Sequence, residues 1–264
     1  MTKTIVALSL SLIASPAAAA DAPPPNLPAC PTSNDKPAVK PLLERIEQVM
    51  EGRSLIATST MNIKTKSWSR KLKMKVWTKG RDYALIRILE GGPRETGMMT
   101  LKREKQLWNY LPRAGRVMKL PSGMLGDSWM GSDFTNDDLV RGTSIVDDFD
   151  GKLAGTAKHE GHGVWKVTLV PKPKAVVVWG KVEMLVDRDS CVPLLERFYD
   201  EDGELARTMM LGDIRTIGWR KFPARIAIKP ADSARQTVVT YQDIEFDAKV
   251  PDDTFSLHRL QQGR

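Results

Sequence analysis

The sequence predicts a mainly β fold: a curled antiparallel sheet forming an incomplete barrel, with a helical lid. Three observations carry that expectation. Lys71-Leu72-Lys73-Met74-Lys75-Val76 alternates strictly between charged and apolar residues, the period-two pattern of a strand with one buried face. Runs of the same character recur to the end of the chain, punctuated by Gly, Pro and Asp-Gly pairs such as Asp150-Gly151 and Asp202-Gly203, the signals of short antiparallel connections. One helical segment precedes the strands, and one long insertion interrupts them.

The N-terminus reads as an export signal. Lys3 supplies a positive start, Ile5 to Ala14 a short apolar stretch, and Ala18-Ala19-Ala20 small residues for cleavage near Ala20. That pattern is a signal peptide at 1–20, too short to span a bilayer. No later run approaches the ~20 apolar residues a membrane span needs, so no transmembrane segment is expected after signal removal. Residues 21–37 are rich in Pro, Ala and Asn and read as a linker. Residues 38–264 form one domain, placed by the signal in the periplasm.

Of 264 residues, 41% are hydrophobic and the formal net charge is +8. Removing 1–20 takes away one Lys and no acid, leaving +7. This is enough apolar material for one sizeable core. The Lys and Arg are spread along strands rather than gathered in a block, and export argues against a nucleic-acid partner.

Val39, Leu42, Leu43, Ile46, Val49 and Met50 fall at helical spacing, predicting an amphipathic helix over 39–51 closed by Gly52. Strands are expected at 55–64, 71–76, 82–89, 97–102, 105–111, 115–120, 152–158, 163–170, 175–187, 192–200, 204–212, 224–229 and 235–246. The exception is 121–142, where Asp133 is placed to cap a short helix at 134–140. A long ordered insertion with its own apolar residues has the character of a lid. A sheet of this size must bury one face, and a gap between it and the helices would form an apolar cavity.

The two cysteines, Cys30 and Cys191, can pair in an oxidising compartment. Free thiols are the alternative, and Leu27-Pro28-Ala29-Cys30 also resembles a lipidation site, although Pro23-Pro24-Pro25 separates it from the apolar stretch.

Few residues point to catalysis. His159-Glu160-Gly161-His162 lacks the zinc-protease spacing, and Gly126-Asp127-Ser128-Trp129-Met130 lacks the second Gly of a nucleophile elbow. The carboxylates Asp127, Asp133, Asp137, Asp138, Asp147 and Asp148 have no calcium-loop spacing and suit caps and turns. No catalytic residue, metal or cofactor is assigned. The candidate ligand-binding residues are instead apolar: Leu72, Met74 and Val76 on one strand face, Trp108, and Met124, Trp129, Met130 and Phe134 in the insertion. Flexible, polarizable Met suits adaptable apolar binding.

Trp108-Asn109-Tyr110-Leu111-Pro112, Lys119-Leu120-Pro121 and Ser128-Trp129-Met130-Gly131-Ser132-Asp133-Phe134, continued by Asp137-Asp138-Leu139, resemble the outer-membrane lipoprotein-sorting protein family. More narrowly, they are similar to its LolA-like branch carrying an SWMGSDF loop. The resemblance runs loosely from about 70 to 260, through Val178-Trp179-Gly180-Lys181 and Asp253-Thr254-Phe255-Ser256. It implies an unclosed β-barrel with a helical lid and a carrier of lipoprotein acyl chains or free lipids toward the outer membrane, without catalysis. An inner-membrane exporter and an outer-membrane acceptor are the implied partners. The typical carrier is shorter and lacks this insertion, so no individual cargo contact carries over. Two other readings stay open: a sensor or accessory domain of an envelope or lipid-export complex, and an envelope hydrolase.

Overall fold

The structure, a computed structural model, describes residue 30 and residues 37–140 and 144–263. The expected signal peptide, and all of the expected linker except Cys30 and Pro37, lie outside the described residues. After helix α1 (Val39–Met50) come β1 (Ser54–Lys64), β2 (Ser69–Lys79), β3 (Tyr83–Glu90), β4 (Met99–Arg103), β5 (Gln106–Leu111) and β6 (Arg116–Lys119). The insertion then holds single 3-10 turns at Ser122–Met124 and Trp129–Gly131 and the short helix α2 (Asn136–Val140). The second run of strands is β7 (Phe149–His159), β8 (His162–Pro171), β9 (Lys181–Asp187), β10 (Pro193–Tyr199), β11 (Leu205–Ile217), β12 (Arg220–Pro230) and β13 (Gln236–Phe246). A 3-10 turn at Asp252–Phe255 and helix α3 (Leu257–Gln261) end the chain.

All thirteen strands form one sheet in the order β6-β5-β4-β3-β2-β1-β13-β12-β11-β10-β9-β8-β7. It is two antiparallel meanders, β1–β6 and β7–β13, joined by a single non-local ladder between β1 and β13. The edge strands β6 and β7 do not pair with each other. The sheet is therefore not closed into a barrel.

Strand alternation sorts the side chains onto two faces. On the outer face Met99, Leu101 and Leu85 pack under Ala248, Val250, Phe255 and Leu260 of the C-terminal segment. The Asp253-Thr254-Phe255-Ser256 motif makes this possible. Phe255 is buried, and Ser256 caps α3 by accepting the Arg259 N–H at 3.1 Å. On the inner face of the second meander, α1 lays Leu42, Leu43 and Ile46 against Trp165, Val167, Leu169 and Met184. Gly151 allows the close approach, because a Cβ there would stand 2.8 Å from both Leu43 and Val39. Cys30 is bonded to Cys191 with the Cα atoms 5.8 Å apart. The bridge ties the chain ahead of α1 to the turn between β9 and β10.

The inner face of the first meander is covered by the insertion. Trp129 is 4% exposed and packs with Met61, Ile63, Leu72, Met74, Ile88 and Val239. Its indole N–H donates to Thr100 Oγ1 at 3.1 Å, and Thr100 donates on to Asn109 Oδ1 at 2.8 Å. The loop closes on itself through a Ser128–Thr135 bridge and a turn in which Met130 (φ 53°) and Gly131 (φ 72°) are both left-handed. Asp133 then clamps the loop to β13. Its N–H donates to Thr237 Oγ1 at 2.9 Å, and its carboxylate accepts from that hydroxyl at 2.7 Å and pairs with Arg235 at 3.2 Å.

Several expectations are corrected. Asp133 is not the cap of the lid helix. Thr135 and Asp138 form a reciprocal capping box, with the Thr135 N–H on Asp138 Oδ2 at 2.8 Å and the Asp138 N–H on Thr135 Oγ1 at 3.1 Å,. The helix accordingly spans only Asn136–Val140. The expected strand at 175–187 begins at Lys181. Pro171 and Pro173 start an irregular crossing, and Trp179 turns in to pack on Phe198 at a ring separation of 5.2 Å. The C-terminal turn and α3 were not expected, because five residues give too short a helical period to read.

Two stability outcomes follow. Trp129→Ala removes the centre of the lid cluster, and large aromatic deletions from cores cost about 3–5 kcal/mol; urea midpoints of wild type and variant measure it, and a shift under 1 kcal/mol would contradict the clamp. Cys191→Ser opens a loop of 161 residues, which the chain-entropy estimate values at up to about 5 kcal/mol. Equal urea midpoints for oxidised and reduced wild type would exclude a stabilising bridge.

Candidate functional site

Between the sheet, α1 and the lid lies a cavity of about 510 Å³, within the ~300–1,000 Å³ range of small-ligand sites. Its floor is one cross-strand row. Phe246 pairs with Leu55, Leu55 with Thr78, Thr78 with Ala84, and Ala84 with Lys102. All five line the cavity. Residues directly opposite in adjacent strands share a face, and the middle of this row is small. The space above Thr78 and Ala84 stays empty for that reason.

The facing wall comes from the second meander. Leu169, Val182, Phe198 and Arg207 form one row, and Met184, Glu196 and Met209 the next. Strands as distant in sheet order as β4 and β10 contribute to one cavity, so the sheet curls around it. Phe134, Asp138 and Leu139 of the lid cover it, and Met50 and Glu51 reach it from the end of α1.

The charged groups of the lining are mostly paired. Arg81 binds Glu51 Oε2 at 2.6 Å and Glu47 Oε2 at 2.7 Å. Burial works against the Arg81 charge, but these hydrogen bonds hold its pKa above the usual arginine value. Burial also raises the Glu51 carboxyl, against the pull of Arg81. Across the cavity Arg207 makes a bidentate pair with Asp138, at 2.7 and 2.8 Å. Burial pushes the Asp138 carboxyl up, and the Arg207 and Thr135 hydrogen bonds more than reverse it, leaving its pKa lowered. Arg207 is also sandwiched between Trp179 and Phe198, 4.6 and 4.7 Å from the ring centroids. This stack fixes the lid helix to β11.

Two lining groups differ. The Glu196 carboxyl is pushed up to about 7 by burial, with Arg207 the only opposing charge. Lys102 is 7% exposed and its pKa is lowered by burial, partly offset by Asp82 and Glu51.

The residues singled out from the sequence divide. Phe134 lines the cavity, together with the motif residues Asp138 and Leu139. Leu72, Met74 and Trp129 lie in the packed cluster beneath the lid, with Met130 at its margin. They fill the inner face next to the cavity. Val76 lies on that same face, opposite Ala57 and one alternation before Thr78. Trp108 and Tyr110 join the cluster under the C-terminal segment, and Lys119 stacks on Trp108 at 5.7 Å. Met124 is exposed. Pro112 lies against Gly97, and Pro121 leads into the first 3-10 turn. Ser128 donates to the Ser132 carbonyl and Ser132 to that of Trp129, internal bonds of the loop. Asp137 is buried. The wall residues of β9–β11 were missed individually. Alternation within 192–200 and 204–212 marks an inward face, but not the cavity it meets.

His159 and His162 flank the two-residue hairpin turn Glu160-Gly161. His162 and Ser190 both bind Asp187, so the carboxylate lies between them. A nucleophile–base pair needs the serine on the histidine, and this cluster lacks that contact. Among the described residues, no group of three or more His, Cys, Asp or Glu could hold a metal ion. No helix there is long and apolar enough to cross a membrane.

A family model described as an uncharacterized protein matches residues 80–262. No curated protein matches the chain in sequence. Among solved structures it resembles a DUF1329 family protein from Desulfovibrio piger, 20% identical with a TM-score of 0.76 over 84% of this chain and 97% of that one. A putative outer membrane lipoprotein-sorting protein domain from Vibrio parahaemolyticus is 21% identical, with a TM-score of 0.72 over 84% and 97%. A LolA superfamily protein from Nitrosomonas europaea is 20% identical, with a TM-score of 0.68 over 83% and 97%. These likenesses establish the fold.

Glu196 makes the cavity wall sensitive to pH. Unfolded, this carboxyl titrates near 4.5; folded, near 7. Between those values the folded chain keeps a proton that the unfolded chain has lost, so stability falls as pH rises through the window. Glu196→Gln should flatten that fall and exceed wild type above pH 7 by on the order of 2–3 kcal/mol. Urea midpoints across the range measure it, and parallel profiles for the two proteins would refute the assignment.

Proposed function

We propose, from the premise that this chain belongs to the uncharacterized-protein family matched over residues 80–262 and has the LolA-like, lipoprotein-sorting fold, that it is an exported carrier. In the periplasm it shields an acyl chain of a lipid or lipoprotein between sheet and lid, and passes it toward the outer membrane without catalysis. The observation that carries this reading is the cavity itself, about 510 Å³ walled by Leu169, Val182, Met184, Phe198 and Met209 and roofed by Phe134 and Leu139. An acyl chain gains ~0.8 kcal/mol for each methylene it buries. Ordering the chain and the protein groups around it offsets part of that gain.

Loading requires the lid to yield. The Asp138–Arg207 pair and the Asp133–Thr237 clamp hold it at two points. Phe134 and Leu139, each adjacent in sequence to one of those anchors, line the cavity, so they are the roof a chain must displace. The same two locks favour a second reading: an accessory or sensor domain whose lid stays shut until a membrane partner acts on it.

Phe134→Asp places a charge in the apolar roof and should reduce lipid recovered per mole of purified protein several-fold. Native mass spectrometry with lipid extraction reads the outcome, and circular dichroism verifies folding. Met130→Asp, at the margin of the lid cluster, should change retention less. Equal retention by wild type and folded Phe134→Asp would defeat the roof assignment. A wild type that binds no lipid even when offered it would favour the accessory reading.

A further inference from the structure

We infer that the cavity takes a single-chain amphiphile with one anionic head, a carboxylate or a phosphate monoester, seated on the Lys102 ammonium. This rests on the reading of the cavity as an acyl-chain site and specifies the head that accompanies the chain.

Lys102 ends the floor row Phe246–Leu55–Thr78–Ala84–Lys102. Thr100, two residues earlier on the same face, is covered by the Trp129 indole. The next inward position is therefore the first that reaches open cavity. Lys102 lines it while only 7% exposed. Among the described residues its ammonium makes no hydrogen bond and no ion pair. Of the nearby carboxylates, Glu51 and Glu47 both hold Arg81, and Asp82, exposed on the turn before β3, acts on Lys102 through its charge without bonding it. Among the described residues, each other cation of the lining has a carboxylate of its own, Arg81 these two and Arg207 Asp138.

The Lys102 side chain is largely buried with no carboxylate bonded to it, and burial favours its neutral form, a cost that the fields of Asp82 and Glu51 offset only in part,. An anionic ligand supplies the bonded charge that the protein does not. A neutral head would leave that cost in place. From Lys102 the small floor residues Ala84 and Thr78 lead toward Leu55, so a chain seated at its head runs along the cavity floor. The cavity of about 510 Å³ is of the size of a site for one small ligand.

The test is calorimetric titration of the delipidated mature protein with dodecanoate, dodecyl phosphate and dodecanol, which share a chain and differ in head. Wild type should bind at least one anionic ligand about tenfold or more tighter than the alcohol, as expected for a charge-assisted hydrogen bond. The tighter of the two names the head as carboxylate or phosphate. Lys102→Met, of similar length and apolar, should lose that preference and keep its affinity for dodecanol, with circular dichroism as folding control. Equal binding of all three by wild type overturns the inference and leaves the carrier reading standing. A preference that survives in folded Lys102→Met overturns Lys102 as the anchor. Absence of binding to all three overturns the carrier reading itself. Should Lys102→Met not fold, the wild-type comparison of heads still decides.

Discussion

The ladder between β1 and β13 is the constraint on which the rest of the molecule depends. Every other strand pairs with its neighbour in sequence, but this one joins segments at opposite ends of the domain. Its register sets Phe246 beside Leu55, which extends the cavity floor across the junction. It also sets Thr237 beside Ile63, so that the hydroxyl receiving Asp133 stands next to the cluster receiving Trp129. A slip of one residue would turn Thr237 and Phe246 to the other face, removing a lid anchor and part of the floor together. Loop-closure entropy opposes such a distant pairing, and the Cys30–Cys191 bond shortens the unfolded chain's reach over part of the same span.

The cavity survives because its surroundings are held apart. Trp129 fills the inner face up to Thr100, α1 fills the other meander up to Met50, and the floor between them carries Thr78 and Ala84. Interiors close-pack when they can. Here the Arg81–Glu47–Glu51 group at one side and the largely buried Arg207–Asp138 pair at the other brace the rim. A buried pair of the second kind contributes less to net stability than to fixing one arrangement of its elements. The lid is thereby held in one position over an unfilled space.

The lid loop illustrates how a distinctive motif divides its labour. Trp129, Ser132 and Asp133 make the loop's internal and anchoring bonds, while Phe134, Asp138 and Leu139 face the cavity. Apolar residues in a Gly- and Ser-rich loop look alike in sequence whether they pack under the loop or roof a cavity. What separates them is depth: Trp129 is buried within the cluster, while Phe134 packs on that cluster's margin and also lines the cavity.

The sequence by itself determined the β architecture, the strand alternation, the amphipathic first helix, the antiparallel meander and the place of the insertion in the chain, because each rests on local periodicity or local turn chemistry. Val39 to Met50 and Lys71 to Val76 carry their pattern within a dozen residues. Tertiary structure alone decided that β1 pairs with β13, that Leu72 and Met74 are packed while Thr78 and Ala84 face open space, and that Lys102 bonds no carboxylate among the described residues. Those depend on which residues from distant strands fall in one row, and a row is set by register, which no segment carries alone. Lys102 reads as one more charge at the end of a strand. Its burial follows from the curl of the sheet, and its lack of a bonded partner from Glu47 and Glu51 holding Arg81 while Asp82 stays exposed.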